Sequence, residues 1–293
     1  MHQLKLLCLN LIKIMNPQSL KFNFNKIFVI ESLSLDETKT GTNIFNDIIK
    51  RRIEAFPQME AELVKVNSQN DLLNFFNKMN DEVSHNSLKP YFHFEIHGST
   101  TGLQLNSGED ISWFQLHSYF VKINIKCKNN LWISLATCYG AYIFRIIRPT
   151  DRAPFFGYIG SWDVLYSNEI EAGFGDYFNT LLTTLDLNKS LESLNNCNTL
   201  STEYKIYHCN AVFDQIYKRY EDESYEPEAF NDRVKTLMEA AKEKSKNKLR
   251  LSNKILKDKL ETILLDKKKK FRREKKAHFL MFDLYPSQKK RYS

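Results

Sequence analysis

Between residues 24 and 220 two hydrophobic rhythms alternate. Short β-branched and aromatic runs stand at 26–33 (KIFVIESL), 61–66 (AELVKV), 91–96 (YFHFEI), 131–137 (LWISLAT), 155–159 (FFGYI) and 204–208 (YKIYH). Each has the length and composition of a strand. Between them apolar residues recur every three or four positions, the spacing of an amphipathic helix. Residues 40–56 carry Ile44, Phe45, Ile48, Ile49 and Ile53 at that spacing, and Pro57 stops the run. Residues 69–83 repeat it with Leu72, Leu73, Phe76 and Met79. Further helices are expected over 111–120, 141–147, 167–185 and 211–220. Strands joined through helices of this length run parallel, with crossovers. The pattern predicts a three-layer α/β/α sandwich around a mainly parallel sheet.

Beyond this body the pattern changes. Residues 231–244 and 249–276 read as two helices, the second with Leu249, Leu256 and Ile263 at seven-residue intervals and Leu260 and Leu264 beside them. Charge changes with it. Residues 241–293 hold 19 Lys and Arg against 6 Asp and Glu, which leaves 23 against 29 in the first 240 residues. A mildly acidic body thus carries a basic C-terminal α-helical extension. The acidic, Pro-bearing stretch EDESYEP marks the change. The expected organisation is an N-terminal extension (1–23), an α/β domain (24–220), an acidic linker (221–230) and a basic helical tail (231–293).

Composition removes several classes. With 42% apolar and 26% charged residues, fibrous and disordered chains are excluded. No run of eighteen uncharged apolar residues exists, so a membrane span is not expected. Residues 1–14 (MHQLKLLCLNLIKI) are faintly signal-like, but Asn10 and Lys13 interrupt the apolar part and no small-residue cleavage site comes after it. A short amphipathic helix, or a start at Met15, describes them better. The five cysteines (Cys8, Cys127, Cys138, Cys197, Cys209) are few and widely spaced, with no CxxC pair. Neither a zinc site nor a disulfide scaffold is expected, and a reducing, cytoplasmic compartment is the default. No metal or organic cofactor is called for. A nucleotide-binding module would need a Gly-rich phosphate loop after the first strand, and none is present.

In α/β sheets the working groups lie beyond the carboxyl ends of the strands. The third strand ends in His97-Gly98-Ser99 and the fourth in Cys138-Tyr139-Gly140. Neighbouring strands lie about 4.8 Å apart. If these two are neighbours, a thiol and an imidazole meet over one sheet edge, as a nucleophile and its base must. The imidazole and the amino end of the next helix would both favour thiolate. Backbone N–H groups of Gly98 and Cys138 are candidate oxyanion donors.

A strand ending in His-Gly, a Leu-bearing hairpin (102–110), a helix and a strand ending in Cys-x-Gly resemble the caspase-like peptidases of clan CD, including the CHAT group. HFEIHGSTTGLQLNSGEDISW is similar to the His half and LWISLATCYGAYIF to the Cys half. Residues 24–220 are covered, but only the two short motifs are specific. Where the CHAT group commonly has Ser-Ala-Cys, this chain has Ala136-Thr137-Cys138. The resemblance implies a caspase-like sheet, His97 as base, Cys138 as nucleophile, a protein substrate and no obligatory cofactor, although some relatives need calcium. It also implies a sensor or regulatory partner, since many bacterial relatives act in antiviral defence or stress systems. Family loops beside the Cys and after the next strand line the specificity pocket. There Asp163 is a candidate to pair a basic substrate side chain, with Trp162 as an apolar wall. The plainer reading of Asp163 is a helix N-cap. Glu169 and Glu171 are rival acids expected on a solvated face, and Asp151 and Arg152 are expected on a mobile loop near the site. His93 reads as a packed residue, and His117 has no assigned role. His208 and Cys209 are adjacent on a strand and so point to opposite faces. Cys127 is expected in a polar loop.

The block from Lys267 to Lys276 (KKKKFRREKK) suits an anionic partner, or else a solvated helix end. Aromatic interleaving is limited to Phe271, which argues against nucleic acid. Phe279, Leu280, Met281, Phe282 and Leu284 are expected to dock on the body or on a partner. The alternative to a peptidase is a catalytically silent scaffold that binds a protein or nucleic acid through this tail.

Overall fold

The computed structural model of the protein describes residues 23–85, 87–244 and 252–292. Six strands form the main sheet: β1 (Lys26–Ser32), β2 (Glu60–Lys65), β3 (Pro90–Gly98), β6 (Trp132–Leu135), β7 (Gly157–Gly160) and β8 (Lys205–His208). A short hairpin, β4 (Gly102–Gln104) and β5 (Asp110–Ser112), hangs antiparallel from the end of β3. The strand order is β2-β1-β3-β6-β7-β8. Every main-sheet pair is parallel except β7–β8.

Continuous apolar runs need cover on both faces. The first helix, α1, has three parts: Thr40–Ile44, a π-helical segment Phe45–Ile49, and Lys50–Ile53. Ile27, Val29, Tyr91, Trp132 and Ile159 face a layer made of α1, α4 (Ser167–Thr184) and α5 (Leu187–Asn195). Phe28, Ile30, Phe92, Phe94, Ile133 and Tyr158 face α2 (Gln69–His85), α3 (Trp113–Lys126) and α6 (Cys209–Ser224). This is the α/β sandwich that the periodicity predicts. α3 starts at a capping box, where Ser112 and Gln115 satisfy each other's backbone N–H groups.

Three features differ from the sequence pattern. β8 runs antiparallel, so the sheet is mixed. α5 is an additional helix that the periodicity does not announce; Asp186 caps it by accepting the N–H groups of Asn188 and Lys189. The stretch 221–230 is not a linker. α6 continues to Ser224, α7 (Pro227–Lys244) begins three residues later, and Pro227 occupies a first-turn position that needs no N–H donor.

The tail is not a separate unit either. α8 (Asn253–Phe279) pairs with α6 through Arg272, which reaches Asp214 at 3.1 Å and Glu221 at 3.2 Å, and Lys276, which reaches Asp214 at 2.6 Å. Past α8 the chain turns back, with Met281 in the left-handed region. Phe279, Leu280 and Met281 are fully buried in the main core, whereas Leu284 is exposed. Residues 1–14, with Cys8, and Leu249 lie outside the described residues. Among the described residues no helix is long and apolar enough to cross a membrane.

Candidate functional site

The site is set by the pairing of β3 with β6. Phe92 lies beside Ile133, His93 beside Ser134 and Phe94 beside Leu135. One further rung joins them, Ala136 N–H to Phe94 O at 3.0 Å, and then β6 turns away. By count alone the same offset would match His97 with Cys138, two residues past the last bonded rung. Alternation carried that far would place both over one face. Ala136 and Cys138 pack in the α1/α4 layer, and His93 packs edge-on against Phe178 and at a tilt against Phe174 of α4.

Gly98 brings the two motifs into contact. A Cβ here would overlap Thr137 Cγ2 and the Cys138 carbonyl oxygen. The end of β3 therefore rests on the backbone of the Cys138 turn, an approach only glycine permits. Gly98→Ala is expected to force the strand end and the turn apart. Overpacking of this kind costs about 1–3 kcal/mol. A fall in the urea midpoint checks it, and an unchanged midpoint would show that the strand end does not bear on the turn.

Cys138 is partly exposed. Its Sγ accepts the N–H of Leu165 at 3.3 Å and lies 3.7 Å from the Leu165 carbonyl oxygen. The turn is laced to the loop after β7: Tyr139 N–H donates to Asp163 O at 3.0 Å and Ala141 N–H to Ser161 O at 2.9 Å. Tyr139 takes a left-handed conformation to make this bend. The Cys138 N–H meets no acceptor among the described residues. The next element is a seven-residue 3-10 helix, Gly140–Ile146, not an α-helix. Thiolate support from its amino end is correspondingly small.

His97 is half exposed, and its Nε2 lies 2.5 Å from Glu37 Oε1. No direct bond joins His97 to Cys138 in this state. Glu37 belongs to the loop after β1. Its other oxygen, Oε2, accepts the backbone N–H of Ser34 at 2.6 Å and the Ser34 hydroxyl at 2.7 Å. Partial burial pushes the Glu37 carboxyl up, but the hydrogen bonds from Ser34 and His97 outweigh it and hold the group below the usual carboxylate range. The sequence reading does not single out Glu37. Its one signal there is an acid in the first loop beyond the carboxyl end of β1, the strand beside β3.

No protein-family model matches the chain, and no curated protein matches it.

The two specificity candidates divide. Trp162 is buried against Tyr142 and Phe144 on the opposite face of the sheet, with its indole N–H donating to Tyr207 at 2.6 Å. It is core and does not wall a pocket over Cys138. Asp163 is partly exposed and does not cap α4, whose N-cap is Tyr166. Its Oδ2 accepts the Thr202 hydroxyl at 2.9 Å. Glu169 is not on a solvated face. It is buried, and its carboxylate accepts the N–H groups of Ser201 at 3.0 Å and Tyr166 at 3.3 Å. Glu171 accepts an amide N–H of Asn43 at 3.2 Å. Tyr204 lies within electrostatic reach of Glu95, Cys138 and Glu169; burial first, and then these groups, push its hydroxyl well above the usual range. Among the described residues neither the Tyr204 hydroxyl nor the buried Thr137 hydroxyl has a partner.

The remaining candidates fall away. Cys127 is buried in the turn after α3, not exposed, and burial pushes its thiol up to about 12. Burial pushes the Cys209 thiol up and holds His208 down at about 4. Those two pack on opposite faces, but Cys209 is the first residue of α6 and not part of β8, so strand alternation is not the reason. His117 has Asp151 at 3.8 Å, and burial lowers it. The loop with Asp151 and Arg152 is not beside the site. It precedes β7 at the amino end of the strands, where Ala153 bonds Phe279 and Arg152 forks onto Asp283. In the basic block, Lys268 sits over Tyr225, Lys275 over Phe271, Lys270 pairs with Glu274, and Arg272 and Lys276 bond α6. Much of its charge is used within the protein. Among the described residues no three His, Cys, Asp or Glu side chains form a group able to hold a metal ion.

Proposed function

We propose that the protein is a caspase-like cysteine endopeptidase with Cys138 as nucleophile and His97 as base. One observation carries this reading. A His and a Cys follow the carboxyl ends of adjacent parallel strands, Cys138 packs on the face that His93 of the His97 strand shares, and Gly98 is seated on the Cys138 backbone. The proposed course begins with a proton passing from Cys138 Sγ to His97. The sulfur then bonds to the scissile carbonyl carbon, and its oxygen takes the negative charge facing the backbone N–H groups of Cys138 and Gly98. The C–N bond breaks, the amine leaves with the proton from His97, and water cleaves the thioester. Before substrate binds, Sγ is held by Leu165 N–H, and catalytic hydrogen bonds are often loose in such states.

Asp163 is the proposed partner for a basic side chain preceding the cut. Its carboxylate is on the loop bonded to the Cys138 turn and is partly exposed. A cytoplasmic role in bacterial defence or stress, with one protein cut when a sensor fires, is proposed from the family resemblance alone. A silent scaffold is the second reading, supported by the missing contact between His97 and Cys138.

Cleavage of a peptide library separates the two. The wild type is expected to cut after Arg or Lys, Cys138→Ala to lose all cutting, and Asp163→Asn to lose the basic preference. Failure of the wild type to cut is not decisive by itself, so thiol labelling accompanies it. Cys138 should react with iodoacetamide at pH 7 about 10²-fold or more faster than in His97→Ala, the lower end of what a positioned base contributes. Equal rates would sink the dyad.

A further inference from the structure

We infer that Glu37 is a positioning residue for His97, holding the ring by Nε2–H so that Nδ1 is left to take the Cys138 proton. The inference rests on the dyad proposed above and extends it to a third group.

Its basis is the strand order. β1, β3 and β6 are consecutive neighbours in the sheet. Ser32 at the end of β1 pairs with Ile96, and Phe94 of β3 pairs with Leu135 of β6. At the carboxyl edge these strands release, in order, Glu37, His97 and Cys138. A carboxylate, an imidazole and a thiol thus line up across three adjacent strands. This is the arrangement in which a base is itself oriented by a third group.

The carboxylate is held by bonds other than the one to the ring. Oε2 is held by the N–H and hydroxyl of Ser34, which leaves Oε1 for the ring at 2.5 Å. The turn is braced by the Glu37 N–H, which donates to Ser34 O at 3.1 Å, and by Lys39, whose ammonium bonds the carbonyls of Leu33 and Ser34. An exposed pair of two long, mobile side chains contributes little. Here one partner is immobilised by local bonds, so less freedom is lost in holding the other.

The contact fixes where the protons lie. An ionised carboxylate carries no hydrogen, so the contact at Oε1 requires a donor, and that donor is Nε2–H. The neutral ring then has its lone pair on Nδ1. When Sγ–H gives its proton to Nδ1, the ring becomes a cation beside a fixed negative charge. The proton later leaves from Nδ1 to the departing amine, and Glu37 is never protonated. A carboxylate in this role orients and stabilises but does not relay.

The test uses the full chain with ring-15N-labelled histidine and the variants Glu37→Ala, Glu37→Gln and His97→Ala. Glu37 is on a surface loop, and far-UV circular dichroism checks that each variant folds. The wild-type His97 spectrum should show the Nε2–H form, with its proton shifted downfield by the carboxylate. Glu37→Ala should lose that signature, a change a purely structural role would not produce. Iodoacetamide labelling of Cys138 at pH 7 should fall by about tenfold or more, part of the 10²–10⁴ attributed to a positioned base. Glu37→Gln should keep the Nε2–H form, through its amide oxygen, but still label slowly because the charge is gone. If Glu37→Ala labels at the wild-type rate while His97→Ala is inert, the positioning role is overturned and the dyad stands. If His97→Ala labels at the wild-type rate, both fall.

Discussion

Deletion of residues 278–293 is expected to abolish cooperative folding. The segment contains Phe279, Leu280 and Met281, each fully buried among residues of the main sheet and α6. Burying side chains of this size contributes about 1.5–3 kcal/mol each, so the three together supply about 5–9 kcal/mol. The net stability of a typical domain is only about 5–15 kcal/mol. Polar bonds add to the loss. Arg152 would lose both bonds to Asp283, Ile125 O would lose the Tyr285 hydroxyl at 2.9 Å, and Tyr292 would leave its place against Phe156. A basic tail forming its own domain would predict the opposite, a shortened body with an unchanged midpoint. Urea unfolding followed by tryptophan fluorescence decides between them, and a sharp transition at the wild-type midpoint would show that the segment only leans on the surface. Met281→Ala is the milder companion. It should fold but lose about 2–5 kcal/mol, as large-to-small core changes do.

That result bears on what can be read from sequence. The apolar cluster at 279–284 is legible as a docking patch, but its target is not, because nothing local identifies which surface it covers. The stretch EDESYEP illustrates the same limit. Acidic composition suggests a linker, yet Glu221 is inside α6 and is balanced by Arg272, a partner 51 residues away. Short aromatic strands are legible because both faces are covered and nearly every residue in them is apolar. The direction of β8 is not, since a strand of four residues looks the same in either sense. α5 escapes notice because its nine residues are largely polar and its start depends on one cap, Asp186.

The site is legible in part for a similar reason. His97 and Gly98 close β3 and Cys138 lies just past β6, so the sequence places them at one sheet edge by counting strand ends. Trp162 is misplaced by the sequence pattern because the alternation does not carry past Gly160. Ser161 faces Thr202, and Trp162 takes the other face. Glu37 cannot be picked out in SLDETKT by composition, since Asp36 is as acidic. Only the turn geometry, with Ser34 bound to one Glu37 oxygen, aims that carboxylate at His97.

The second large effect is expected beneath this site, at His93. The ring is fully buried, with Nδ1 2.7 Å from the Ser134 hydroxyl and Nε2 2.9 Å from Glu95 Oε1. Glu95 also accepts the Thr40 hydroxyl at 2.7 Å, and its neighbour across the strand pair is Glu31. Glu31 in turn accepts the N–H and hydroxyl of Thr42 at 2.8 and 2.7 Å. Two buried carboxylates thus anchor the start of α1. Gly41 leaves room for them, since a Cβ there would lie 2.7 Å from Glu95 Cγ. His93→Leu removes one donor to Glu95 and leaves it beside Glu31 with Thr40 as its remaining bonded partner. Removing one partner of a buried polar pair costs about 3–5 kcal/mol, mostly from the group left behind. The double variant His93→Leu, Glu95→Leu removes the orphan as well and should recover part of that loss. Urea midpoints of the two singles and the double measure the coupling. If the double loses the sum of the two singles, His93 and Glu95 act independently and the network reading fails. Because Glu95 is two residues before His97 on the same strand face, the single His93 variant should also slow Cys138 labelling. A destabilised variant whose labelling rate is unchanged would confine the network to anchoring α1.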